Sequence, residues 1–197
     1  MRRHALALLA IPIALLIAVA PVAADTFGAP GTYFYTSSTT CTTSGGMDTC
    51  NDVILNVTPD DTGAYVACLE LDTYTTNGRG GGSLKSYESG CAPSGTLTVG
   101  KDLSVSLGST PVALESCTKQ QVCTPTRTVN VSASDTPTGA LITTTTKSTE
   151  TIDGCTTRST VTEKSVDLAG TLTTDGVTRD SFAFVQDFAV KSTTNCR

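Results

Sequence analysis

Along most of the chain, apolar and polar residues alternate one by one. Val53, Leu55 and Val57 share one side of a segment whose other side is polar, as do Val129, Val131 and Ala133. Tyr65, Ala67, Leu69 and Leu71 repeat the pattern, followed by Leu97 with Val99, then Leu103, Val105 and Leu107. A period of two puts one face of a strand in a core and the other in solvent. Asp175-Gly176 between threonine-rich flanks predicts a tight hairpin turn. Ser181 to Val190 is apolar on both sides and reads as a buried strand or a short helix. About ten to twelve short strands with regular turns predict an all-β fold: a disulfide-stabilised β-sandwich, immunoglobulin-like in the general sense.

Self-comparison divides the chain into two related β-units. Cys41, Cys117 and Cys196 each end a similar stretch, and they lie 76 and 79 residues apart. After the first two come a second cysteine (Cys50, Cys123), an Asn-Val-Thr/Ser strand (Asn56, Asn130), a turn ending in Gly-Ala, and a Gly-Cys pair (Gly90-Cys91, Gly154-Cys155). The repeat runs over about 33–116 and 117–187. The expected organisation is residues 1–24, 25–116 and 117–197, with the two β-units separate or packed as one domain.

Residues 1–24 read as a cleaved secretory signal. Arg2 and Arg3 precede an apolar run from Ala5 to Ala20, and Val22-Ala23-Ala24 offers small residues for cleavage. That run of 16 residues is shorter than the ~20 of a spanning helix. Secretion without a membrane anchor after cleavage is expected. The remaining chain has 11 basic against 18 acidic residues, a net charge of −7. Dispersed negative charge repels phosphate backbones and argues against nucleic acid as a partner.

Cys41, Cys50, Cys68, Cys91, Cys117, Cys123, Cys155 and Cys196 all follow the signal. An even number in an exported chain predicts a disulfide framework. Eight cysteines allow 105 pairings. Pairing sequence neighbours (41–50, 68–91, 117–123, 155–196) is the economical choice among them. Asp61-Thr62-Gly63-Ala64-Tyr65-Val66-Ala67-Cys68 resembles the Asp-x-Gly/Ala-x-Tyr-x-Cys stretch of immunoglobulin variable domains. Here Tyr65 precedes Cys68 by three residues rather than two, which places the two side chains on opposite strand faces.

The only histidine, His4, lies in the signal, so the exported chain has no His-based triad and no His-ligated metal. No cofactor is expected. Glu70 and Asp72, two residues apart on one strand face, are the candidate acid/base pair for a carboxylate-dependent hydrolase of extracellular polysaccharide. Asp60-Asp61 and Asp175/Asp180 are conceivable calcium ligands, but neither forms an Asp-x-Asp-x-Asp-Gly loop, so surface acid is the better reading. The glycine-rich segment from Asn77 to Ser83 is a candidate contact loop, with Arg79, Lys85 and Tyr87 as its contact residues. Thr143, Thr145, Thr149 and Thr151 form a rank of the kind found in ice-binding proteins, interrupted by Lys147. The leading expectation is a non-enzymatic, secreted binding module whose partner is an unidentified extracellular protein or glycan.

Overall fold

The computed structural model describes residues 30–77, 81–118 and 122–196. Residues 1–24, read above as a signal, and Arg79 lie outside them. Ten strands follow in order: β1 (Gly31–Ser44), β2 (Met47–Pro59), β3 (Tyr65–Asn77), β4 (Gly82–Pro93), β5 (Leu97–Val99), β6 (Val105–Cys117), β7 (Cys123–Pro137), β8 (Ile142–Ile152), β9 (Cys155–Thr174) and β10 (Val177–Cys196). Every ladder is antiparallel. The all-β, disulfide-stabilised architecture is the one that the alternation predicts.

The strands form one sheet whose ladders return to their start. The path runs β1-β2-β3-β4-β6-β7-β9-β10, and β10 pairs again with β1. A sandwich divides its strands between two sheets, whereas here a continuous ring of ladders carries them. The ring is thinnest at β4–β6, where Ser89 and Glu115 are the one registered pair. Gly90 lies beside this seam. A Cβ there would run into the carbonyl oxygen of Ala113 on β6, so the missing side chain lets the two backbones approach. Gly170 does the same for β9 against Ser134 and Asp135 of β7.

One core fills the ring. Phe34, Leu55, Val57 and Leu69 from the first unit pack with Val112, Leu114, Val131, Leu168, Leu172 and Val185. The alternating positions named above supply most of it. Leu103 joins the core from a turn rather than from a strand, with φ 66°. Ser181–Val190 is strand throughout, part of β10. Its inner residues Ser181, Ala183 and Val185 are buried. Asp175-Gly176 makes the expected β9–β10 turn, with both residues at positive φ (47° and 79°).

All four disulfides join directly opposed residues of neighbouring strands: Cys41–Cys50, Cys68–Cys91, Cys117–Cys123 and Cys155–Cys196. Sequence-neighbour pairing is therefore the observed connectivity. Hairpin register explains it, because each partner meets the next cysteine where two consecutive β1–β2, β3–β4, β6–β7 or β9–β10 strands lie face to face. Tyr65 points inward against the core, and its hydroxyl accepts the Thr32 N–H at 3.1 Å, while Cys68 faces outward. The opposite-face placement follows from their three-residue spacing.

β9 and β10 are 20 residues each, longer than the ring needs. β7 pairs with the second half of β9, residues 168–174, and β8 with the first half, residues 155–165. β1 pairs with β10 only through Phe188. Among the described residues, β8 and the adjoining halves of β9 and β10 thus form a three-stranded tongue running out from the ring, closed at its tip by Cys155–Cys196.

Candidate functional site

The residues predicted as an acid/base pair lie on the outer face of the wall formed by β10, β1, β2, β3 and β4. On β1, Thr32, Phe34, Thr36 and Ser38 are buried inside the ring, so Tyr33, Tyr35 and Ser37 face out. Register carries this outward set across the neighbouring strands. Phe184 sits opposite Tyr35, Phe182 opposite Ser37 and Ile54 opposite Ser37 from the other side. Glu70 is opposite Ile54, and Asp72 lies between Asp52 on β2 and Tyr87 on β4.

This one outer face holds Tyr33, Tyr35, Tyr74, Tyr87, Phe182, Phe184 and Phe188, seven of the nine aromatic residues described. Phe182 is 57% exposed, and Phe188 meets Tyr33 edge-on with ring centroids 5.5 Å apart. Five of the aromatics line the β10–β1 side, whereas Tyr74 on β3 and Tyr87 on β4 stand on the side of the carboxylates Asp52, Glu70 and Asp72. Three strand spacings separate the edges, about 14 Å. The structure thus brings together Glu70, Asp72 and Tyr87 and adds Asp52, Tyr35, Phe182 and Phe184. Lys85 is exposed on β4, at the β3–β4 register shift, where it has no registered partner on β3.

Asp72 is the electrostatically unusual member. It is 7% exposed, and its Oδ1 has no hydrogen-bond partner; Asp52 Oδ1 is likewise buried and unpartnered. Burial raises the Asp72 pKa above the ordinary 3.8, and the charges of Glu70 and Asp52 push it the same way. Burial also raises Tyr74, with the Asp52 charge adding to it. The face therefore presents buried acceptor oxygens beside apolar rings. It suits a ligand with hydroxyl donors and an apolar side.

Because the folded state holds the Asp72 proton more tightly than the unfolded chain, its contribution to stability falls as pH rises from 3.8 towards the raised value. Asp135, buried inside the ring and raised by desolvation against a 2.7 Å bond from Ser181, acts in the same direction. Asp72→Asn is expected to be more stable than the parent protein above this window and to show a shallower decline. Urea unfolding across roughly pH 4 to pH 7 reads both effects. An unchanged slope would mean that Asp72 titrates normally.

A cavity of about 280 Å³ opens at the ring's end near the Asp175-Gly176 turn. Asp52 and Asp72, with their unpartnered oxygens, are among its lining residues, and its two arginines are engaged. Arg127 meets Glu88 at 2.9 Å, and Arg179 donates to Thr174 Oγ1 at 2.8 Å. Of the candidate calcium ligands, Asp60 and Asp175 are engaged as well. Asp60 Oδ1 accepts from the N–H and hydroxyl of Thr62 and from the Ala64 N–H, bonds that lower its pKa. Asp175 Oδ1 accepts the Asn130 N–H at 2.9 Å. Glu115 lies with Cys117 and Cys123, but their sulfurs are bonded to each other and offer no thiolate.

No family model, no curated protein and no solved structure matches this chain.

Proposed function

We propose that this protein is an extracellular module that binds a glycan on the outer face of β10-β1-β2-β3-β4. One observation carries the reading: seven aromatic side chains share that face with Asp52, Glu70 and the unpartnered Asp72 oxygen. Sugar rings offer apolar C–H faces to aromatic rings and hydroxyl donors to carboxylates, so this pairing of residue types fits them. Four disulfides accord with an oxidising, extracellular setting. Among the described residues, no helix is long and apolar enough to cross a membrane.

The test is binding of the purified protein to neutral oligosaccharides: cello-, xylo-, manno- and chito-oligomers. Binding to at least one is expected, with Phe182→Ala and Asp72→Asn each weakening it about tenfold. Folded protein that binds none of them removes the reading.

A second reading, a carboxylate-dependent hydrolase, is supported by the same raised Asp72, which would serve as general acid beside a second carboxyl group. The pair would then be Asp72 with Asp52 or Glu70. Release of reducing ends from the corresponding polymers, abolished by Asp72→Asn, would replace binding by catalysis.

A further inference from the structure

The tongue has two faces of opposite character. The β8–β9 and β9–β10 ladders run without a register shift, so alternation assigns every side chain in them to a face. One face carries Lys147, Arg158, Lys164 and Lys191, with Asp187 as its one acid. The other carries Glu150 and Glu163, the Cys155–Cys196 disulfide and no cation. Lys147 and Lys191 flank Thr160 in one cross-strand row, and Arg158 stands in the next row, opposite Thr149 and Thr193. Strand spacing sets Lys147 and Lys191 about 10 Å apart and Arg158 about 8 Å from each. All four cations are exposed, and none makes an ion pair among the described residues. Threonine hydroxyls fill most of the places between them.

We infer that this face docks an acidic polysaccharide. Three free cations in a triangle, with a fourth two rows along, form a net positive, hydroxyl-rich plane on a chain whose overall charge is negative. At physiological salt the Debye length is about 8 Å, so charge elsewhere on the protein is screened and the local face decides. The face has no aromatic side chain on which bases would stack, which argues against single-stranded nucleic acid. Its one apolar side chain is Ala189, too little to enter a bilayer. Carboxylate or sulfate groups along a sugar chain match both the charges and the hydroxyls. The site lies on the side of the sheet opposite to the aromatic face, and it stands whether or not that face binds sugar.

The experiment measures retention of the intact secreted protein on dextran sulfate and polygalacturonate, with neutral dextran, duplex DNA and anionic phospholipid vesicles as controls. Salt-sensitive retention on an acidic polysaccharide and none on neutral dextran is expected. The double variant Lys147→Glu/Lys191→Glu should bind at least about tenfold more weakly. Glu150→Gln, on the other face, should bind as the parent does, and both should melt like it. Failure of the parent to bind either acidic polymer overturns the inference. So does binding that the double variant retains, or equal binding to DNA or vesicles.

Discussion

Replacing Cys155 and Cys196 together by serine is expected to lower folding stability by about 4 kcal/mol, the largest loss among the four bridges. This disulfide spans 41 residues, against 23, 9 and 6 for Cys68–Cys91, Cys41–Cys50 and Cys117–Cys123. A crosslink removes more freedom from the unfolded chain as its loop lengthens, and the same relation predicts about 2 kcal/mol for the shortest. Urea melts of the Cys155/Cys196 and Cys117/Cys123 double serine variants check the order. The position of the bridge adds a second readout. It closes a tongue whose β8 residues are exposed nearly throughout, so little burial replaces it. Amide exchange should accelerate first at 189–196 and 155–160. A smaller loss than at Cys117–Cys123 would show that the tongue frays without loosening the ring.

Gly90→Val is expected to cost about 3 kcal/mol or more, because the added carbon atoms have nowhere to go. A Cβ at Gly90 would overlap the Ala113 carbonyl oxygen and approach the Leu114 Cα at 3.3 Å. Both obstacles are backbone of β6, which cannot rotate away as a side chain can. The strain falls where the ring is held by the single pair Ser89–Glu115, so the variant should open β4 from β6. Gly139→Ala is the control: its Cβ would meet only Asp167 Cβ at 3.9 Å, and a change within about 0.5 kcal/mol is expected. Equal melting of Gly90→Val and the parent protein would mean that the seam gives way freely.

Much of the strand content was legible because a half-buried strand writes its burial directly into alternate positions. Leu55, Leu69, Val131 and Ala133 show this. The ambiguity at Ser181–Val190 had a physical source. β10 is apolar inside, where Ala183 and Val185 meet the core, and aromatic outside at Phe182 and Phe184. A period-two signal disappears when both faces are apolar. Leu103 kept the predicted face but left the strand, since its burial suffices to hold a leucine at positive φ. Of the candidate site, Glu70 and Asp72 were readable as neighbours on one strand. Asp52 was not, because it comes to Asp72 only through the β2–β3 register.

The sequence by itself determined the all-β class, the predicted turn at Asp175-Gly176 and the means of crosslinking, for these follow from local spacing and residue type. Hairpin order also made neighbour pairing of the cysteines the economical choice, which the structure bears out. The tertiary structure alone decided that the strands close into a ring and that a chain poor in aromatics gathers seven of them on one wall. It also decided that Lys147, Arg158, Lys164 and Lys191, dispersed along the sequence, meet on one face of the tongue. The reason is the same in each case. Alternation fixes which side of its own strand a residue occupies, whereas its neighbours across the sheet depend on register and strand order, set by long-range pairing.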